Sequence, residues 1–159
     1  MTVNYEPFAV FQVPDNVRGL LIQAAETWAD KAKSGQCISQ ALQEADDYPD
    51  ILVAACRYFY YQDQGAMALE MAQRILAKLK IQENLPDDWE MLKQVLLCRR
   101  QEPNIRLYLN TYAATGFIYA KMNDVEQATT VTEKIQEIDP DDEIGASLLL
   151  ECFYVDNLN

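Results

Sequence analysis

The sequence predicts an all-α protein built from antiparallel helical hairpins, and three observations carry that expectation. Apolar residues recur at helical spacing, as in Leu52, Ala55, Cys56 and Phe59, and again in Ala68, Ala72, Ile75 and Leu79. The breaks between such runs are short and made of turn or capping residues: Asp63-Gln64-Gly65, Asn84-Leu85-Pro86, Asn123-Asp124 and Asp139-Pro140. The apolar half of the chain is dominated by Ala, Leu, Ile, Tyr and Met with few runs of Val and Thr, which favours closely packed helices over a sheet.

Taken in order, residues 1–14 have no helical period; Tyr5, Phe8, Val10 and Phe11 surround Pro7, and the segment ends at Pro14-Asp15, so it reads as an arm. From Val17 the residues Leu20, Leu21, Ala24 and Trp28 share a helical face, which extends the first helix to Ala32 and a stop at Ser34-Gly35. A shorter helix is expected from Ile38 to Ala45, and Pro49 opens the next. Asp63-Gln64-Gly65 turns the chain back into the helix of Ala68 to Leu79. Residues 87–100 form an inserted helix with Trp89, Leu92 and Leu96 on one stripe, and Arg99 and Arg100 at its end, where positive charge is favoured. Beyond Pro103 one helix carries Leu109, Tyr112, Gly116 and Tyr119, and its return carries Val125, Ala128, Thr132 and Ile135. A capping helix over 142–156, with Ile144, Leu148, Cys152 and Val155, completes seven to eight helices. At 159 residues the chain has room for one core, so 15–159 is expected to be a single domain.

Composition excludes several functions. The chain has 25 acidic and 13 basic residues, a formal charge of −12, which argues against nucleic acid and anionic membranes as partners. The same acidity suits solubility, or a basic or amphipathic protein or peptide partner. There is no histidine, so Ser-His-Asp and Cys-His nucleophilic sites and His-containing metal sites are absent together. The acidic clusters Glu44/Asp46/Asp47, Asp87/Asp88 and Asp139/Asp141/Asp142/Glu143 each lie beside a proline, where they are expected to initiate helices and complement the helix dipole. Cys37, Cys56, Cys98 and Cys152 form no CxxC pair; three lie in apolar helical patterns and read as small buried hydrophobes in a reducing compartment. With no basic leader and no apolar stretch of membrane-spanning length, the expected location is the cytoplasm, without membrane insertion. No catalytic residue, cofactor or metal site is expected.

The rhythm of helix, tight turn and helix resembles the tetratricopeptide repeat, most clearly from Leu109 to Pro140 within a repeat at 107–140. Tyr112, Thr115, Gly116, Tyr119, Ala128, Thr132 and Pro140 stand where that family places its signature residues, with Thr115 and Thr132 smaller and more polar than usual. Gly116 and Ala128 would remove bulk where the two helices cross. Residues 49–80 fit more loosely through Leu52, Ala55, Cys56, Phe59, Ala68 and Ala72, without the closing Pro. Phe59 precedes Ala68 by nine residues, as Tyr119 precedes Ala128, so the two hairpins share a register. Val17 to Ala45 reads as a third, degenerate copy.

The resemblance implies a right-handed superhelix whose concave face, lined by the first helix of each pair, holds an extended peptide or a helix of a partner. Counting around the two first helices gives Arg57, Tyr60 and Tyr61 on one and Asn110, Phe117 and Lys121 on the other as the candidate groove, with Asp50, Val53, Ala113 and Ala120 beside them. The aromatic residues there would otherwise contact the inserted helix or the arm. Arg57, Asn110 and Lys121 are too few to claim the carboxylate grip that some members use. Bacterial secretion chaperones of three such repeats are similar in size and acidity, in outline only. The expected function is therefore a non-catalytic interaction module, adaptor or chaperone-like. The alternative is a self-associating structural module, a homodimer formed through Phe8 to Phe11 or the last helix, and an all-α enzyme has the least support.

Overall fold

The computed structural model describes residues 13–45, 48–139 and 141. Among these the chain is helical throughout, with no strand: α1 (Asp15–Glu26), α2 (Lys31–Ala45), α3 (Pro49–Tyr61), α4 (Gly65–Gln82), α5 (Trp89–Arg99), α6 (Pro103–Lys121) and α7 (Val125–Ile138). The capping helix expected from the sequence and residues 1–12 of the expected arm lie outside the described residues, as do Asp46, Asp47, Pro140, Asp142, Glu143 and Cys152. Helix α1 packs on α2, α3 on α4 and α6 on α7, giving three hairpins; α2 meets α3 and α4 meets α6, which joins the hairpins in chain order. Helix α5 touches α6 and α7 and leaves the α4–α6 contact intact.

The turns follow from residues that tolerate left-handed backbone. Asp63, Asn84 and Asn123 have φ of 59°, 52° and 62°, a region where Asp and Asn are far less strained than other side chains. Each lets the next amide reach back and close the helix end: Gln64 N–H to the Phe59 carbonyl at 2.8 Å, Leu85 to Lys80 at 2.9 Å, and Asp124 to Tyr119 at 2.9 Å. The α3/α4 and α6/α7 turns are thus closed at the same register, from Phe59 and Tyr119. Pro49 and Pro103 sit in the first turns of α3 and α6, where a missing N–H has no consequence. Asp88 and Asp124 cap α5 and α7 by accepting from the Met91 and Gln127 amides.

The first hairpin departs from the sequence expectation. Helix α1 ends at Glu26, α2 already begins at Lys31, and Ser34-Gly35 lies inside α2. The break is made by Thr27, whose hydroxyl donates to the Gln23 carbonyl, and by Asp30, which accepts from the Lys33 amide. Ser34 is buried because it receives Tyr58: the two hydroxyls lie 2.6 Å apart, and Ser34 Oγ also bonds the Asp30 carbonyl at 3.0 Å. Gly35 lies under the same tyrosine, 3.8 Å from the position its missing Cβ would take to Tyr58 Oη. Trp28 moves from the expected helical face into the turn, edge-on to Tyr58 at 5.4 Å. Val125, expected on the inner face of α7, is exposed at that helix's first position.

The core runs unbroken from Val17 to Ile138. Leu21, Ile51, Leu52, Ile75, Ile105, Ile118 and Ile135 are fully enclosed, and truncating any one to Ala would cost about 2–5 kcal/mol. Thr115 and Thr132 are buried and satisfied within their own helices, by the Tyr112 carbonyl at 2.6 Å and the Ala128 carbonyl at 2.8 Å, which explains how polar residues occupy those positions. Cys37 and Cys56 are buried as expected, and burial pushes the Cys56 thiol up to about 11. Cys98 is exposed on α5, contrary to the expectation for residues in apolar patterns: α5 is short and only its Leu92 and Leu96 stripe is buried.

Candidate partner-binding site

The hairpins are stacked so that their three internal turns lie along one edge. Gln62, just after α3, is buried and donates to the Trp28 carbonyl in the α1/α2 turn at 3.2 Å. Lys121, at the end of α6, donates to the Tyr60 carbonyl at 2.7 Å and pairs with Asp63 at 3.1 Å. Gly65 meets Met122 so closely that a Cβ there would fall 2.5 Å from the methionine Cγ, so any side chain at the first residue of α4 would displace Met122. The ends of α3 and α6 are thereby brought side by side.

Of the six candidate groove residues, this geometry gathers Tyr60, Tyr61 and Lys121. The Lys121 ammonium sits 4.2 Å from the centre of the Tyr60 ring, and Tyr60 and Tyr61 contact edge to face at 5.2 Å. Lys121 is therefore engaged with its own chain: its charge is shared by Asp63 and its head group lies over Tyr60. Phe117, one turn earlier on α6, is half-buried and packs against Ala128 of α7, so it belongs to the hairpin more than to a groove. Ala113, counted beside the groove, is buried. Arg57, Asn110 and Tyr61 are exposed, Tyr61 at 58%. The free surface between the two first helices is accordingly narrower than the sequence suggests, with an aromatic and basic rim.

Helix α5 docks elsewhere. Trp89 lies over Tyr112 with ring centres 6.5 Å apart, donates its indole N–H to Glu137 at 3.1 Å, and has the Lys134 ammonium 5.1 Å from its ring. Tyr112 is roughly 140° around α6 from Phe117 and about 180° from Lys121, so this contact is made on the other side of the helix from the candidate groove. Burial pushes the Tyr112 hydroxyl up to about 12. Ionic contacts hold the two ends of α5: Arg99 bonds Glu83 and Glu102, Arg100 pairs with the nearly enclosed Asp139 at 3.6 Å, Lys93 pairs with Glu137 at 3.3 Å, and Lys80 pairs with Asp87 just before the helix. Asn104 also donates to Glu83 at 2.8 Å. Glu83, Glu102 and Glu137 are all held below the usual carboxylate range, chiefly by these hydrogen bonds: from Asn104 and then Arg99, from Arg99, and from Trp89 and then Lys93, respectively. Asp139, expected to start a helix, instead caps the end of α7.

Among the described residues no group of three or more His, Cys, Asp or Glu is placed to hold a metal ion, and no helix is long and apolar enough to cross a membrane. Trp28, Met67, Met122 and Val125, all exposed along the turn edge, were not legible as a surface in the sequence. Trp28 and Val125 were assigned by helical count to inner faces, and Met67 and Met122 carried no signal beyond standing next to the turns at Asp63-Gln64-Gly65 and Asn123-Asp124.

The chain is thus, at the level of fold class, an all-helical protein of stacked hairpins. It is 29% identical over 131 residues to a protein of Azotobacter chroococcum mcd 1 described as an uncharacterized 19.8 kDa protein in nifW 5'region, a match covering 80% of this chain and 73% of the relative. No family model matches the chain, and no solved structure matches it.

Proposed function

We propose that the chain is a non-catalytic protein-interaction module of tetratricopeptide type, adaptor or chaperone-like, whose partner lies as a peptide or helix against the outward faces of α3 and α6. The observation that carries this reading is the alignment of those two first helices. Their turns are closed at the same register, their ends are tied by Lys121 to Tyr60 and Asp63, and Arg57, Tyr61 and Asn110 stand exposed along them. Tyrosine supplies large contact area for few frozen torsions, and arginine supplies a planar guanidinium with several donors, so both are effective anchors. The ring and ion-pair contacts made by Tyr60 and Lys121 fix the rim in advance of binding, which lowers the ordering cost of association. The chain's net charge of −12 favours a basic or amphipathic partner at long range, while at the rim itself Arg57 calls for a carboxylate or carbonyl acceptor on that partner.

The test is affinity capture from native cell extract with the wild-type chain and an Arg57→Ala/Tyr61→Ala/Asn110→Ala variant. All three side chains are exposed, so circular dichroism should be unchanged. A protein retained by the wild type and lost from the variant supports the reading. Equal retention by both chains, or capture by neither, overturns it.

A further inference from the structure

A second surface has no part in the α3/α6 reading. The edge that carries the three internal turns also carries Trp28, Met67, Met122 and Val125, which are 41%, 39%, 43% and 45% exposed. They come from three different hairpins, and the turns bearing them are tied together by the Gln62–Trp28 hydrogen bond, the Lys121–Asp63 ion pair and the Gly65–Met122 contact. Isolated exposed apolar residues are ordinary, but four large ones at or next to turns that are tied to one another suit a docking surface. Two are methionines, whose unbranched polarizable chains adapt to different apolar faces, and one is a tryptophan already oriented by Tyr58.

Charge at the same edge selects the occupant. Glu26, Asp30, Asp124 and Glu126 are exposed at or beside the turns, while the charge of Lys121 is taken up by Asp63 and the Tyr60 ring; Lys31 and Lys33 remain as the local cations. The balance is acidic here, within a chain of formal charge −12. We infer that the turn edge docks a basic amphipathic segment, with apolar side chains laid on Trp28, Met67, Met122 and Val125 and Lys or Arg side chains reaching Glu26, Asp30, Asp124 and Glu126.

The experiment uses the full chain and a fluorescent Leu/Lys amphipathic peptide of about 18 residues, with a Leu/Glu peptide of the same pattern as its opposite. The Leu/Lys peptide binds and the Leu/Glu peptide does not. Met67→Gln/Val125→Gln weakens that binding about tenfold, and Trp28→Gln weakens it comparably. Ile81→Gln/Met91→Gln, at exposed apolar positions of which Ile81 lies about 21 Å from Met67 along α4, changes it less than about twofold. The edge assignment is overturned if neither peptide binds, if the Leu/Glu peptide binds as well, or if the distant pair weakens binding equally. Loss with Arg57→Ala/Asn110→Ala in place of the edge variants would move the site to the α3/α6 face. A wild-type dimer dissociated by Met67→Gln/Val125→Gln would replace the basic segment with a second copy of the chain.

Discussion

Tyr58 and Ser34 show how a single polar pair fixes the joint between the first two hairpins. Ser34 donates to the Asp30 carbonyl, so it accepts from Tyr58, and both hydroxyls are satisfied without water. Ser34→Ala strands the Tyr58 hydroxyl and should lower stability by about 1–2 kcal/mol in urea unfolding, while the Ser34→Ala/Tyr58→Phe pair should lose less than the two single changes together. The same burial silences nearby thiols. With its thiol pushed to about 11, Cys56 stays protonated at neutral pH, and Cys37 is shielded by packing, whereas Cys98 is open to solvent. A Cys152→Ser chain titrated with a thiol reagent at pH 8 should therefore show one fast thiol in the folded state and three after unfolding; fast reaction of two would contradict the packing around α2 and α3.

Among the elements, α5 is held differently from the rest. The hairpin helices are joined by broad apolar faces, while α5 adds only Leu92 and Leu96 to the core and depends on Arg99, Arg100, Lys93 and Trp89 for its anchorage. The three glutamates in those contacts have folded-state values below the ordinary 4.5, so their contribution is fully present above about that pH and is lost as pH falls through the lowered values. Trp89 quenching by acrylamide in a Trp28→Phe chain should accordingly rise as pH drops from 6 to 3, ahead of any loss of helical circular dichroism. If quenching and helicity changed together, α5 would be no looser than its neighbours. Element identity was largely legible in sequence, because Asp63, Asn84 and Asn123 announce their turns and the Phe59 to Ala68 and Tyr119 to Ala128 spacings agree. The first hairpin was not, since Thr27-Trp28-Ala29-Asp30 contains neither Gly nor Pro and interrupts an apolar period that runs on across it. The candidate site was half legible: a helical count finds Tyr60 and Tyr61 on one face, but it cannot see Lys121 folding back onto them from 61 positions later.

For the molecule as a whole, the continuous core from Val17 to Ile138 makes the three hairpins one cooperative body near neutral pH. The two tryptophans report on its opposite parts, Trp28 on the first two hairpins and Trp89 on α5 to α7. Trp28→Phe and Trp89→Phe chains should give the same urea midpoint by fluorescence at pH 7, within the small shifts the substitutions cause; separated midpoints would mean that the stack unfolds in sections. The order in which the helices meet has a kinetic meaning as well. Each hairpin closes on itself and then on its neighbour in the chain, and even the α4–α6 contact spans only the short α5 segment. Little chain entropy must be lost before any contact is rewarded, so the search for the native state is a succession of short loop closures, and the fast phase of folding from urea, by molecules whose proline bonds are already trans, should be over within milliseconds, at the pace of local helical topologies.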